Sequence, residues 1–206
     1  MVIVDYGVGN LFSLKSSLDF IGEKAEVSGD PDVIYSADKI ILPGVGAFAD
    51  AAAKLREKGL DKIICEKAKS GTPLMGICLG MQMLFDKSLE YGENEGLSLI
   101  KGTVRPISEV IPAELKIPHI GWNALNFKGE KHPIFKYLNE GDCVYFVHSF
   151  YGADCEESTI ATSDYGAPLT AAVAHENVCG CQFHPEKSGK AGLSILKAFC
   201  EWEGRL

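Results

Sequence analysis

The chain has no long run of lysine and arginine, and its 28 acidic against 20 basic residues leave a formal net charge of −8. Binding along a nucleic-acid backbone needs the opposite balance, so no nucleic-acid partner is expected. No apolar stretch is long enough to span a bilayer, and the opening Met1-Val2-Ile3-Val4-Asp5 lacks the basic segment of a secretory signal, so no membrane role is expected. The seven cysteines are odd in number and follow no disulfide framework. A cytoplasmic protein with mostly free, buried thiols fits that usage. No internal repeat, low-complexity segment or linker is present. One domain over residues 1–206 is the economical reading.

What the chain does have is alternation. Residues 2–4 read as a strand, and Leu11, Leu14, Leu18 and Ile21 recur at helical spacing. Residues 24–27 and 39–42 read as further strands, 47–55 and 60–68 as helices, and 74–77 as a strand running into a helix after Cys78. The mixed-sign charges from Lys54 to Lys69 suit a solvated helix face. This predicts βαβ units, hence an α/β fold with a mixed, mostly parallel sheet flanked by helices. Sites in such sheets lie beyond the carboxyl ends of strands, where Cys78 and the loop Pro43-Gly44-Val45-Gly46 both fall. The second half reads as strands at 103–107, 117–127, 144–147, 159–162, 169–174 and 178–183, closed by a helix over 191–201. These predict a mixed or antiparallel extension of the same sheet.

Gly76-Ile77-Cys78-Leu79-Gly80 is the thiol form of a nucleophile elbow. Glycines two positions either side of Cys78 permit a sharp strand-to-helix turn, and the helix N-terminus beyond it favours the thiolate. The alternative is inert packing, which is the reading for Cys65, Cys143, Cys155 and Cys200. Downstream, His184-Pro185-Glu186 offers a base and a carboxylate to orient it. In an extended chain residues two apart share a face, so the imidazole and carboxylate can meet. Alone this tripeptide reads as a surface turn; with the elbow it completes a Cys-His-Glu triad.

No metal and no cofactor are expected. Cys179, Cys181 and His184 lack the second Cys/His pair of a structural zinc site. Asp5-Tyr6-Gly7-Val8-Gly9-Asn10 stands where a dinucleotide fingerprint belongs, but the third glycine position is Phe12. A tight turn with Asn10 as helix cap is the bland reading. Residues 43–46 form either a plain turn or a donor loop, in which the Val45 N–H joins the Leu79 N–H to hold an oxyanion. Trp122 is by default a core aromatic, though its polar neighbours suit an interface, and His148 reads as a satisfied structural histidine.

These motifs together resemble the class I (triad) glutamine amidotransferases. The elbow through Gln82, the 43–46 loop and His184-Pro185-Glu186 match that family's three signatures. More narrowly, the chain is similar to the glutaminase subunits of imidazole glycerol phosphate synthases. That likeness runs through residues 5–10, 43–46, Pro118-His119-Ile120-Gly121-Trp122-Asn123, residues 145–150 and Lys187-Ser188, with Phe150 where tyrosine is common. The resemblance implies a flavodoxin-like fold and hydrolysis of L-glutamine by Cys78, His184 and Glu186 through a glutamyl thioester. It implies an oxyanion hole from Val45 and Leu79, and substrate contacts from Gly46, Gln82, Glu90, Ser149 and Phe150. It further implies a heterodimer with a (β/α)8-barrel cyclase subunit that receives the ammonia, with Asn10, Trp122, Tyr145 and Lys187 at or near the shared interface. A glutaminase serving another ammonia-channelling synthase is the alternative.

Overall fold

The computed structural model describes residues 1–205. The first half alternates as β1 (Val2–Val4), α1 (Leu11–Phe20), β2 (Glu26–Ser28), α2 (Pro31–Tyr35), β3 (Ile40–Gly44), α3 (Phe48–Glu57), α4 (Leu60–Lys69), β4 (Leu74–Cys78) and α5 (Leu79–Met83). The second half is mostly strands: β5 (Lys87–Ser88), β6 (Asn94–Glu95), β7 (Thr103–Pro106), β8 (His119–Ala124), β9 (Asn126–Phe127), β10 (Cys143–His148), β11 (Phe150–Ala153), β12 (Thr159–Asp164), β13 (Pro168–His175) and β14 (Val178–Cys181). Helix α6 (Gly189–Glu201) closes the chain.

The main sheet has eight strands in the order β2-β1-β3-β4-β14-β13-β12-β9. The first five are parallel, the doubly wound order, and the last three add antiparallel to one edge. Strands β1, β3, β4 and β14 are buried at every residue because helices cover both faces. Alternate residues feed two cores. Val2, Val4, Ile40 and Leu42 pack with Phe48, Leu55, Leu60 and Ile64 of α3 and α4. Ile3 and Ile41 pack with Leu14 and Leu18 of α1 and Ile195, Leu196 and Phe199 of α6. Helices α3 and α4 are separate because Gly59 between them is left-handed, with φ 68°.

Two differences from the sequence reading concern the second half. The predicted sheet extension is only partial: β8 pairs with β10 in a separate ribbon, and β11-β7-β5-β6 form a third sheet. The single strand expected over 117–127 breaks at Leu125, whose side chain is fully buried and whose backbone bonds turn residues Gly141 and Asp142. That break sends β8 to β10 and β9 to β12. The short helix α2 was not foreseen; five residues are too few to show a period. Its signal is local, in Asp30 accepting from the Asp32 N–H and in Pro31 at the first helical position. All seven cysteines are free, but Cys143 is exposed because β10 alternates outward there.

Candidate active site

Strands β3 and β4 end side by side, with Gly44 paired to Cys78, and β14 runs along the other edge of β4. Three adjacent strand ends therefore deliver the 43–46 loop, Cys78 and His184 to one place. Cys78 sits at φ 54° and ψ −113°, backbone that a non-glycine residue adopts only under strain. Glycine is required beside it for close approach. A Cβ on Gly76 would stand 2.6 Å from the Gly80 carbonyl oxygen, and one on Gly80 would overlap the Leu42 carbonyl oxygen. Helix α5 is only five residues long, so the dipole aimed at the sulfur comes from little more than one turn.

His184 and Glu186 have side chains only 3% exposed, and the His184 Nδ1 lies 2.8 Å from a Glu186 carboxylate oxygen. The pair meets where Pro185 bends the chain, because Pro185–Lys187 forms a 3-10 turn after His184. Cys78 and the same imidazole line one cavity. Burial works against charge on the ring, but nearby Cys78 and the hydrogen-bonded Glu186 outweigh it and push the His184 pKa up to about 9. The His184 backbone is fixed as well. Its N–H donates to the Tyr145 carbonyl at 3.0 Å, and the Ser188 hydroxyl donates to its carbonyl at 2.7 Å.

The loop opposite is anchored by Tyr6, whose hydroxyl donates to the Pro43 carbonyl at 2.8 Å. Burial, with the nearby Cys78 adding to it, raises the Tyr6 pKa far above the usual phenol range. A cavity of about 450 Å³ opens above Cys78 and His184. Val45, Gly46, Leu79, Gln82, Glu90, Ser149 and Phe150 all line it, with Lys187 at its edge. Gln82 and Glu90 also make bonds that sequence does not reveal. Gln82 Nε2 donates to the Phe150 carbonyl and to Gln182, while the Glu90 carboxylate accepts the Phe48 N–H and so caps α3. Asn10 takes the N-cap position of α1, but its side chain makes no cap hydrogen bond. It borders a small void shared with Val45, His184 and Glu186. Trp122 is 53% exposed and stands opposite Tyr145 across the β8–β10 ribbon, with edge-on rings 6.1 Å apart.

Two residues of the site escaped sequence reasoning. Tyr6 lies in a motif to which no catalytic part was given. Gln182 is fully buried, with its side-chain nitrogen 3.9 Å from the Cys78 sulfur. Its signal was compositional: Gln82 and Gln182 are the only two glutamines in the chain. A wider cleft of about 790 Å³ lies elsewhere, beside Cys155. That thiol bonds the Thr159 and Thr170 hydroxyls, has no imidazole partner, and is pushed up by burial. Among the described residues no cluster of three or more His, Cys, Asp or Glu side chains could hold a metal, and no helix is long and apolar enough to cross a membrane.

A strained cysteine on a strand-to-helix elbow, a buried His-Glu pair beside it and a doubly wound sheet define a class. The chain belongs to the class-I glutamine amidotransferase family, whose model matches residues 2–201. Within that class it is 47% identical over 201 residues, 97% of this chain, to a protein of Wolinella succinogenes named imidazole glycerol phosphate synthase subunit HisH, and spans 98% of that relative. It is 48% identical over 203 residues to the protein of the same name from Methanosarcina acetivorans, covering 98% of each. Among solved structures, one described as a glutamine amidotransferase superposes with a TM-score of 0.76 at 20% identity, covering 98% of both chains. PurLQS from Thermotoga maritima superposes at 0.75 with 22% identity, covering 97% of this chain and 96% of that one. These structural likenesses bear on the fold.

Proposed function

We propose that this chain, acting as one amidotransferase domain over residues 1–206, is the glutaminase subunit of a cytoplasmic imidazole glycerol phosphate synthase in histidine biosynthesis. The observation that carries the chemistry is the buried His184, held by the Glu186 carboxylate and lining one cavity with Cys78. Near-full-length identity to the HisH proteins supports the choice of synthase.

Cys78 thiolate attacks the side-chain amide carbon of L-glutamine. The Val45 and Leu79 N–H groups receive the developing oxyanion, and each such donor is worth about 2.7–4 kcal/mol to the transition state. His184, an imidazolium at neutral pH, protonates the departing ammonia and leaves a glutamyl thioester. The neutral ring then takes a proton from the water that cleaves the thioester, which frees glutamate and restores the thiolate–imidazolium pair. Glu186 accepts from Nδ1–H, so Nε2 faces the sulfur throughout. Gly46, Gln82, Glu90, Ser149 and Phe150 line the cavity that holds the amino acid.

Ammonia released to water at neutral pH becomes ammonium, which is not a nucleophile. A (β/α)8-barrel cyclase docked as the heterodimer partner at Asn10, Trp122, Tyr145 and Lys187 receives it protected. There it converts the ribulosyl intermediate into imidazole glycerol phosphate and aminoimidazole carboxamide ribotide. The test is glutamine hydrolysis with and without the cyclase and its nucleotide substrate. Strong stimulation is expected, and no stimulation removes the assignment. Cys78→Ala is expected to abolish glutamine-dependent synthesis while ammonia-dependent synthesis by the partner survives.

A further inference from the structure

The two glutamines of the chain are hydrogen-bonded to each other beside the sulfur, and the direction of every bond around them is determined. The Phe150 carbonyl can only accept, so the Gln82 amide must turn its NH2 toward it, at 3.1 Å. The second Gln82 N–H then goes to the Gln182 side-chain oxygen at 3.0 Å. With that oxygen occupied, the Gln182 NH2 faces the Cys78 sulfur at 3.9 Å. None of these orientations is open to a flip that keeps the bonds.

The same carbonyl orders a second arm. His148 Nδ1 donates to it at 2.8 Å, so His148 Nε2 accepts from His119 Nδ1 at 3.0 Å. His119 Nε2 in turn accepts from Asn123, at 3.1 Å, and the other Asn123 N–H is held by the Asp164 carbonyl at 2.9 Å. Backbone acceptors thus fix the arm from both ends, and a proton added to either imidazole would set N–H against N–H. Burial keeps both rings neutral, each with its pKa near 4. Gln182, Gln82, His119 and His148 are all buried, which makes each bond costly to leave unmade.

We propose that Gln182 is a further catalytic residue, its side-chain N–H holding the Cys78 sulfur, with Gln82 and His148 as positioning residues that fix its orientation through the Phe150 carbonyl. The proposal rests on Cys78 being the nucleophile. An N–H aimed at the sulfur bonds the thiolate more strongly than the thioester. It therefore raises the thiolate fraction available for attack, favours sulfur as the leaving group when the thioester is cleaved, and keeps it seated on a strained elbow.

The test is Gln182→Met, close in volume but without a donor, read by the rate of Cys78 alkylation with iodoacetamide in the resolved peptide. Loss of a hydrogen bond to a charged group predicts a rate roughly tenfold or more below wild type, with kcat reduced alongside and KM little changed. A folded variant alkylated at the wild-type rate overturns the proposal. A second measurement does not depend on that variant folding. Protein made cell-free with amide-15N glutamine carries only two labelled side-chain NH2 groups. In Cys78→Ala, one proton of one group is expected to lose its hydrogen-bonded shift; both groups unmoved would also overturn the proposal. Failure of the nucleophile reading shows separately, as glutamine hydrolysis surviving in Cys78→Ala.

Discussion

Tyr6 ties the base of the 43–46 loop to the sheet by one bond to the Pro43 carbonyl. In Tyr6→Phe that buried carbonyl loses its partner, at a cost of about 1–2 kcal/mol. Thermal denaturation is expected to show a midpoint roughly 2–8 °C lower, with glutamine turnover reduced as the loop loosens. The two loop glycines differ in what they contribute. A Cβ on Gly44 would meet the Gly80 nitrogen at 2.8 Å and the Tyr6 hydroxyl at 2.9 Å, so its replacement damages packing. Gly46 has φ 92° with open space around it, so its substitution strains only the backbone. His184 carries a pH signature. Its folded pKa, near 9, lies above the unfolded value near 6.5, so the stability it adds is complete below 6.5 and lost as pH rises through 9. The melting-temperature gap between wild type and His184→Gln is expected to shrink across that window. A gap constant from pH 6 to 10 would contradict the ion-pair account.

Short elements do the positioning. Strand β4 and helix α5 are five residues each, and the turn between them works only because Gly76 and Gly80 let α5 lie against the backbones of β3 and β4. Gly80→Ala forces its methyl onto the Leu42 carbonyl, a rigid backbone atom. Overpacking of this kind costs about 3 kcal/mol, and calorimetry is expected to place the midpoint roughly 6–12 °C below wild type. A midpoint within a degree or two would mean that β3 can withdraw. The triad's second half rests on a turn of similar size: the Tyr145 N–H donates to the Ser188 hydroxyl at 2.9 Å, and that hydroxyl donates to the His184 carbonyl. Ribbon β8–β10 thereby touches the catalytic backbone, which the sequence pattern of β10 does not disclose.

At the scale of the whole molecule, three of the exposed apolar side chains lie on the cavity loop and the β8 ribbon. Trp122 and Ile120 are 53% and 57% exposed on β8, and Val45 is 40% exposed on the loop. Lys187 borders the same cavity. In the proposed heterodimer this face meets the cyclase. A tryptophan anchor there is worth about 2 kcal/mol or more, so Trp122→Ala is expected to weaken association at least tenfold by calorimetric titration, with the Cys78 alkylation rate unchanged. Unaltered affinity would move the interface off this ribbon.

The order of strands and helices in the first half was legible because long, one-sided apolar periods reflect burial on a single face, and the elbow and the His-Pro-Glu tripeptide were legible as local patterns. What sequence determined by itself was therefore composition, period and the chemical types available. The tertiary structure alone decided that Leu125 breaks a strand, that Glu90 caps α3, and that Tyr145 and Ser188 hold the backbone of His184. It also decided that two glutamines a hundred residues apart share a hydrogen bond beside the sulfur. Contacts between residues distant in the chain depend on where strand ends come together, and that is set by packing of the whole sheet rather than by any local pattern.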